Sequence, residues 1–439
     1  MISFFHQPAN LKTQTMTSRI LIPLFLLSTL PLCAAEWSQY RGPSLDGTTP
    51  EKITPWPATG PKVLWKVPSP GGFSSFTVGG TRCFTIEGRE AAGAPQEVLV
   101  TRDAAAGKEL WSAPLGSAKY DGGGNDGTGD NKGGDGPRST PTTDSKHVFT
   151  LSGQLVLQAF DAATGKEAWK KNLMAEFGGQ NIRWQNAASP LLEGGLLYVA
   201  GGGAGSSLVA FNAADGAVVW KAFDEKMTHA TPIAATILGQ RQVIFFVQSG
   251  LLAVEPKTGR ELWRYAFNYS VSTAASPVVA GDVVYCSAGY GVGAGAVRLS
   301  KDNSNGYDAW TATELFRTRG NKIANHWSTP VQKDGILYGM FQFKEYGKGA
   351  VKGVDIKDGS VKWEQAGFGP GQVILAGDKV LALSDAGELV MFEPKPDAYK
   401  ELARAKVLDG KCWGTAILSG GRIYARSTKE AVCLDVSGK

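Results

Sequence analysis

Apolar residues in this chain come in short runs, cut off by glycine and polar turn residues. Examples are Ser189-Pro190-LLEGGLL-Tyr198, Ser276-Pro277-VVAGDVV-Tyr285, Thr329-Pro330-VQKDGIL-Tyr338 and Thr140-Pro141-TTDSKHV-Phe149. Runs of this length, rich in branched and aromatic residues and bounded by turn signals, predict β-strands joined by tight hairpins. Long helical periodicity is almost absent after residue 35. The chain is predicted to be all-β.

A second pattern is laid over the first. Asp103, Gly107 and Trp111 stand at a spacing of four and four, and so do Asp161, Gly165 and Trp169. Asn212, Gly216 and Trp220 repeat it, as do Glu255, Gly259 and Trp263, and Asp355, Gly359 and Trp363. Five copies in register make an internal repeat. Each copy follows one short apolar run, such as Gln154-LVLQAF or Ser207-LVAF, and places its tryptophan in the next. The acid or amide can accept hydrogen bonds from backbone N–H groups two residues on, and glycine supplies the left-handed residue that closes a hairpin. The tryptophan on the returning strand is expected to fill the wedge between one sheet and the next.

Measured on that aromatic, the repeat runs Trp65, Trp111, Trp169, Trp220, Trp263, Phe316 and Trp363, with steps of 43 to 58 residues. Such a step holds four short strands, which predicts the blades of a β-propeller and excludes short-repeat solenoids. Gln372-VILAGDKVLAL, Leu389-VMF and Ala405-KVL make a seventh blade without the tryptophan, and Thr415-AILSGGRI-Tyr424 with Ala431-VCLDV supplies three strands of an eighth. Val63-LWKV is a lone strand near the other end. The expectation is therefore an eight-bladed propeller of four-stranded antiparallel blades over 63–439. Val63-LWKV closes the last blade and leaves no open edge, and residues 36–62 form an N-terminal extension.

The start of the chain reads differently. Arg19 precedes Ile20-LIPLFLLSTLPL, and Cys33-Ala34-Ala35 follows. This is the layout of a secretory signal peptide, residues 1–35, too short in its apolar part for a membrane anchor. Leu32 before Cys33 argues against lipoprotein processing. A periplasmic or extracellular location is expected, peripheral to a membrane at most. The whole chain carries 45 Lys+Arg against 40 Asp+Glu, too even a balance to point to nucleic acid. Cys83, Cys286, Cys412 and Cys433 remain after the leader, and an oxidising compartment permits three pairings among them, between which the sequence does not choose. There is no Cys-x-x-Cys motif for a structural zinc site.

In a propeller the innermost strand of each blade lines the central channel. Aligning the blades on the proline that opens this strand places Arg138, His229, Trp327 and Trp413 at equivalent positions, with Asn325, His326 and Cys412 beside them. A ring of guanidinium, imidazole and indole groups at one mouth can bind an anionic or aromatic ligand; the same groups can also plug a narrow channel. The glycine-rich insert from Tyr120 to Arg138, with Asp121, Asp126, Asp130 and Asp135, does not match the calcium loop of an EF-hand and reads as a polar loop over that mouth. No GxSxG elbow or HExxH motif occurs, and no residue is assigned a catalytic role.

These patterns resemble the pyrroloquinoline-quinone (PQQ) repeat superfamily, which includes quinoprotein alcohol dehydrogenases and the propeller lipoprotein of the outer-membrane β-barrel assembly machine. The chain is most similar to secreted PQQ-binding-like β-propeller repeat proteins, through Trp37-SQYRGP, Gly136-PRSTP, Gly239-QRQV, Ser287-AGYGVG, Asn325-HWSTP and Val432-CLDV. There is no Gly-His to Trp-Asp signature of WD40 blades. The resemblance implies the fold and carries over no settled activity; the expectation is a non-catalytic, monomeric propeller that binds an envelope protein or polymer, as the assembly lipoprotein does. A second implication is a PQQ-dependent oxidoreductase, with the quinone over a calcium ion. The adjacent cysteine pair on which those dehydrogenases rest the quinone is missing from this sequence, as is an assignable metal set, so PQQ with calcium is the disfavoured alternative and no cofactor is assigned.

Overall fold

A computed structural model describes residues 1–4, 36–91, 93–120, 136–271, 273–304, 308–341 and 349–438. Residues 1–33 separate from the rest as a unit of their own, and the signal-peptide segment falls almost wholly outside the described residues. From residue 36 onward the described residues form eight sheets, each with a four-stranded antiparallel core. In the third blade, Leu191–Glu193, Leu196–Ala200, Leu208–Asn212 and Val218–Ala222 pair in chain order from the inner to the outer edge. The eighth takes Ile417–Ser419, Arg422–Arg426 and Glu430–Asp435 from the C-terminal end and its outer strand, Lys62–Pro68, from the N-terminal end. Val63 lies opposite Leu434 and Trp65 opposite Cys433. The predicted eight blades and their closure are both present.

The local chemistry of the repeat explains how one blade is fastened to the next. Asp103 Oδ1 accepts from the amides of Ala105 and Ala106 at 2.9 and 2.8 Å, and Asp161 does the same for Ala163 and Thr164. The chain then reverses at Gly107 and Gly165, at φ of 71° and 74°. This tight turn lets the preceding blade's tryptophan lie against it. Trp65 donates from Nε1 to Ala104 O at 3.1 Å, Trp111 to Ala162 O, Trp169 to Ala213 O, Trp220 to Pro256 O and Trp363 to Lys395 O. Trp263 is the exception. Its Nε1 donates to Gln242 Oε1 in its own blade at 2.6 Å.

Residues 36–62 are built into the ring rather than appended to it. Trp37 is buried and its carbonyl accepts from Val78 N. The Ser38 carbonyl accepts from Thr143 N, and the Gln39 amide exchanges two bonds with the Leu192 backbone. These partners lie on the inner strands of blades 1, 2 and 3. The buried Arg41 guanidinium crosses to blade 6, donating to Thr329 O at 2.9 Å and Pro330 O at 2.8 Å. Thr48–Thr49 then pairs parallel with the inner strand of blade 7, Gln372–Ala376. One short segment thus ties five blades together.

A second tie joins blade 8 to blade 1. Buried Arg426 donates to Ile86 O at 2.8 Å and to Ser69 Oγ at 3.1 Å. That hydroxyl donates to Glu87 Oε1 at 2.7 Å, which also accepts from Arg102 at 3.0 Å. Burial holds the Arg426 pKa down to about 10, so it stays charged at neutral pH. Cys83, Cys286, Cys412 and Cys433 are all buried free thiols, and burial raises the pKa of each.

Candidate binding pocket at the channel mouth

The inner strands begin in a belt of hydrogen bonds that the sequence reading missed. The residue before each opening proline is Ser or Thr; the hydroxyls of Thr140, Ser189, Thr231 and Thr329 accept from the amide of the equivalent residue one blade back, whereas Ser276 Oγ donates to the Thr231 carbonyl at 2.8 Å. Ser75 N donates to Thr140 Oγ1 at 3.1 Å, Thr140 N to Ser189 Oγ at 2.8 Å, and Ser189 N to Thr231 Oγ1 at 2.9 Å. Ser276 N donates to Thr329 Oγ1 at 3.0 Å, and Thr415 N to Ser75 Oγ at 2.7 Å across the closure. In blade 7 Gln372 takes the place of the hydroxyl residue and donates to the carbonyls of Trp327 and Trp413 at 2.8 and 3.1 Å. The signal was legible in Thr140-Pro141, Ser189-Pro190, Thr231-Pro232, Ser276-Pro277 and Thr329-Pro330.

Two residues before each belt position the chain turns a side chain into the mouth. These equivalent positions hold Phe73, Arg138, Ala187, His229, Ala274, Trp327 and Trp413, and all seven line one pocket of about 890 Å³, open to solvent. Tyr40 of the N-terminal segment also lines it, as do Ser75, Thr140, Ser189 and Thr231 of the belt, and His326, Trp184 and Tyr290. Of the residues expected at the mouth, Arg138, His229, His326, Trp327 and Trp413 therefore come together. Asn325 does not join them. It is buried behind the wall, donating from Nδ2 to Met340 O at 2.8 Å and accepting at Oδ1 from the Tyr285 hydroxyl at 3.1 Å. Phe73 went unrecognised because its blade opens with Phe76 where other blades have proline.

The wall is chemically lopsided. Trp327 and Trp413 stack at 4.8 Å between ring centroids with planes 14° apart, and Phe73 lies 4.6 Å beyond Trp413. Lys411 Nζ stands 4.8 Å over the Trp413 ring. Opposite in chemistry are Arg138 and His229. Arg138 donates to the Trp184 carbonyl and lies 4.9 Å over the ring of Tyr120. Tyr120 in turn donates to buried Glu97 at 2.6 Å; burial pushes the Glu97 pKa up, although this phenol, the Gly153 amide and Arg138 all oppose the shift. His229 is 9% exposed and its Nε2 has no hydrogen-bond partner. Burial pushes its pKa down to about 3, with Arg138 and His326 acting in the same direction. His326 accepts at Nδ1 from Gly289 N at 3.1 Å, which leaves the ring proton on Nε2 when the ring is neutral. Trp184, Gln185 and Tyr290 at the rim adopt left-handed backbone, at φ of 66°, 58° and 57°, conformations that bulky residues keep only where their surroundings enforce them.

A calcium-held quinone does not fit the described wall. Calcium needs six to eight oxygen ligands, with carboxylates among them. None of the lining residues is an Asp or Glu, and among the described residues no three His, Cys, Asp or Glu side chains gather as a cation site. The four aspartates from Asp121 to Asp135 lie outside the described residues.

Three kinds of comparison bear on this geometry. A family model described as outer membrane protein assembly factor BamB matches residues 95–318. BamB of Shewanella oneidensis is 26% identical over 286 residues, covering 63% of this chain and 65% of that protein, so the match spans slightly less than two thirds of the relative. Among solved structures, BamB from Moraxella catarrhalis superposes with a TM-score of 0.59 at 15% identity, over 86% of this chain and 98% of that one. A quinohemoprotein alcohol dehydrogenase from Pseudomonas putida HK5 superposes with a TM-score of 0.61 at 12% identity, over 92% and 81%. At these identities the two structures speak for the fold alone.

Proposed function

We propose, on the premise that this chain belongs to the family of the outer membrane protein assembly factor BamB, that it is a non-catalytic binding propeller of the cell envelope. Exported to the periplasm or beyond, it holds a protein partner and receives part of that partner in the mouth pocket through Arg138, His229, His326, Trp327 and Trp413. The observation that carries this reading is the construction of the pocket. Seven blades each turn one side chain into it, and Tyr40 of the N-terminal segment lines it as well. The result is a concave site with ring faces and a few placed polar groups, as ligand sites are. Its chemistry favours holding over reacting. An imidazole with its pKa at about 3 is too weak a base to activate a nucleophile near neutral pH.

The test is a photo-crosslinking amino acid placed at Tyr290 on the mouth rim or at Lys257 in the turn on the opposite face, in cells. A protein adduct from position 290 that disappears on Trp327→Ala supports the reading. No adduct from either position, or dye-linked alcohol oxidation by protein loaded with PQQ and calcium, overturns it.

A further inference from the structure

The belt and the wall together say what kind of group the pocket is built to receive. Ser75, Thr140, Ser189 and Thr231 are all buried, all line the pocket, and each spends a lone pair on a neighbouring blade's amide. A hydroxyl has one proton to give as well, and none of these four donates it to an acceptor among the described residues. His229 Nε2 adds a further polar atom without a partner; with the ring proton held toward the Gln185 and Arg183 carbonyls, it becomes a donor to a carboxylate on uptake of a second proton. The pocket therefore combines a hydroxyl floor, an imidazole edge and a guanidinium in the wall, and no lining carboxylate that would balance a bound cation. A buried donor left without an acceptor destabilises the site. A ligand rich in acceptors removes that cost, and an ammonium ligand does not.

The other half of the wall calls for a flat apolar body. Trp327, Trp413 and Phe73 form one continuous bank of rings, and stacked or tilted aromatic pairs are favourable beyond the area they bury. Tyr40 of the N-terminal segment lines the same pocket.

We infer that the mouth pocket binds an aryl carboxylate end-on, with the ring against Trp327 and the carboxylate over the hydroxyls of Ser75, Thr140, Ser189 and Thr231, flanked by His229 and Arg138. This rests on the reading of the mouth as the binding site. The chemistry has two sources, a free small acid or the C-terminal aromatic residue of a polypeptide.

The probe is N-acetyl-L-phenylalanine, titrated against the full chain with tryptophan fluorescence and calorimetry as readouts. The expected result is saturable binding that quenches fluorescence. N-acetyl-L-phenylalaninamide, which lacks the charge, and N-acetyl-L-alanine, which lacks the ring, should each bind at least tenfold more weakly. His229→Phe and Trp327→Ala should each weaken the acid at least tenfold, and the melting temperature of His229→Phe shows that the fold is kept. A nine-residue peptide ending in a free phenylalanine that binds more tightly than the amino acid assigns the site to a polypeptide end; equal or weaker binding assigns it to a small acid. Amide binding as tight as the acid, no binding of the acid at millimolar concentration, or an unchanged affinity in His229→Phe overturns the inference. A crosslink at position 290 that survives such a failure would leave the partner-binding reading standing and remove only this chemistry.

Discussion

The indole of Trp65 lies directly behind Gly107 of the neighbouring blade: a methyl group placed on Gly107 would stand 2.6 Å from Trp65 Cδ2. The same relation repeats between Trp111 and Gly165, Trp169 and Gly216, and Trp220 and Gly259, and Phe316 takes the tryptophan's part against Gly359. The repeat glycine thus answers to two demands at once, a left-handed turn in its own blade and a flat ring from the blade before. Separating them gives the first prediction. Gly80 is also left-handed, at φ 59°, but has nothing within 4 Å of its missing methyl. Gly80→Ala should cost about 1–2 kcal/mol from backbone strain alone. Gly107→Ala should cost a further 1–3 kcal/mol, typical of overpacking. Equal losses in denaturant unfolding would mean that the indole yields freely.

Removing the ring should be as informative as crowding it. Trp65 is buried on the strand that closes the propeller and hydrogen-bonded across to Ala104. Trp65→Ala should cost on the order of 3 kcal/mol, as for emptying a large aromatic site. Deleting residues 36–67, which removes both the closing strand and the channel segment, should abolish cooperative unfolding. An unchanged melting temperature in the deletion would contradict closure through Trp65.

What the sequence made legible was local and repeated. Asp103, Gly107 and Trp111 sit within nine residues of one another, and copies of that spelling mark the blades, while the aromatic positions from Trp65 to Trp363 and the two less regular blades after them complete the count of eight. The mouth was legible only as far as its blades share a proline. Arg138, His229 and Trp327 were found by that proline and Trp413 by its alignment on Ala416, whereas Phe73 was missed because Phe76 replaces it. Asn325 was misplaced because sequence adjacency to His326 does not say which side of the wall a side chain takes; its amide is consumed by Met340 and Tyr285. Tyr40 and Arg41 were out of reach for a different reason. Arg41 meets Thr329 at a separation of 288 residues, and a contact made once, across the ring, leaves no period to read.

Arg41 supplies the third prediction. Its guanidinium is buried, and burial holds its pKa below the ordinary arginine value despite Tyr40 and Asp46. It satisfies the carbonyls of Thr329 and Pro330 and of Asp46. Arg41→Met keeps much of the volume and leaves these acceptors without their donor. The expected loss is about 3 kcal/mol or more, since each unsatisfied buried group costs about 1–3 kcal/mol. Chemical denaturation measures it; a loss under about 1 kcal/mol would show that the segment is not a tie across the channel.

His229 gives a pH signature of its own. Its pKa falls from an ordinary 6.5 to about 3, first through burial and then through the nearby charge of Arg138 and the approach of His326, against a smaller opposing effect of the Gln185 and Arg183 backbone. Between these two values the unfolded chain binds a proton that the folded chain refuses. Stability is therefore fully present above about pH 6.5 and declines as the pH falls toward 3, by at most about 1.4 kcal/mol per pH unit from this one group. His229→Phe removes the titration while filling the same site. Unfolding of both proteins at pH 7.5 and pH 4.5 isolates the effect, because the other groups shared by the two proteins cancel in the comparison. The parent should lose about 2–3 kcal/mol more than His229→Phe over that interval. Parallel pH profiles would mean that His229 takes up its proton near pH 6.5 in the folded protein as in the unfolded one, and only below that pH would the pocket present a second cation beside Arg138.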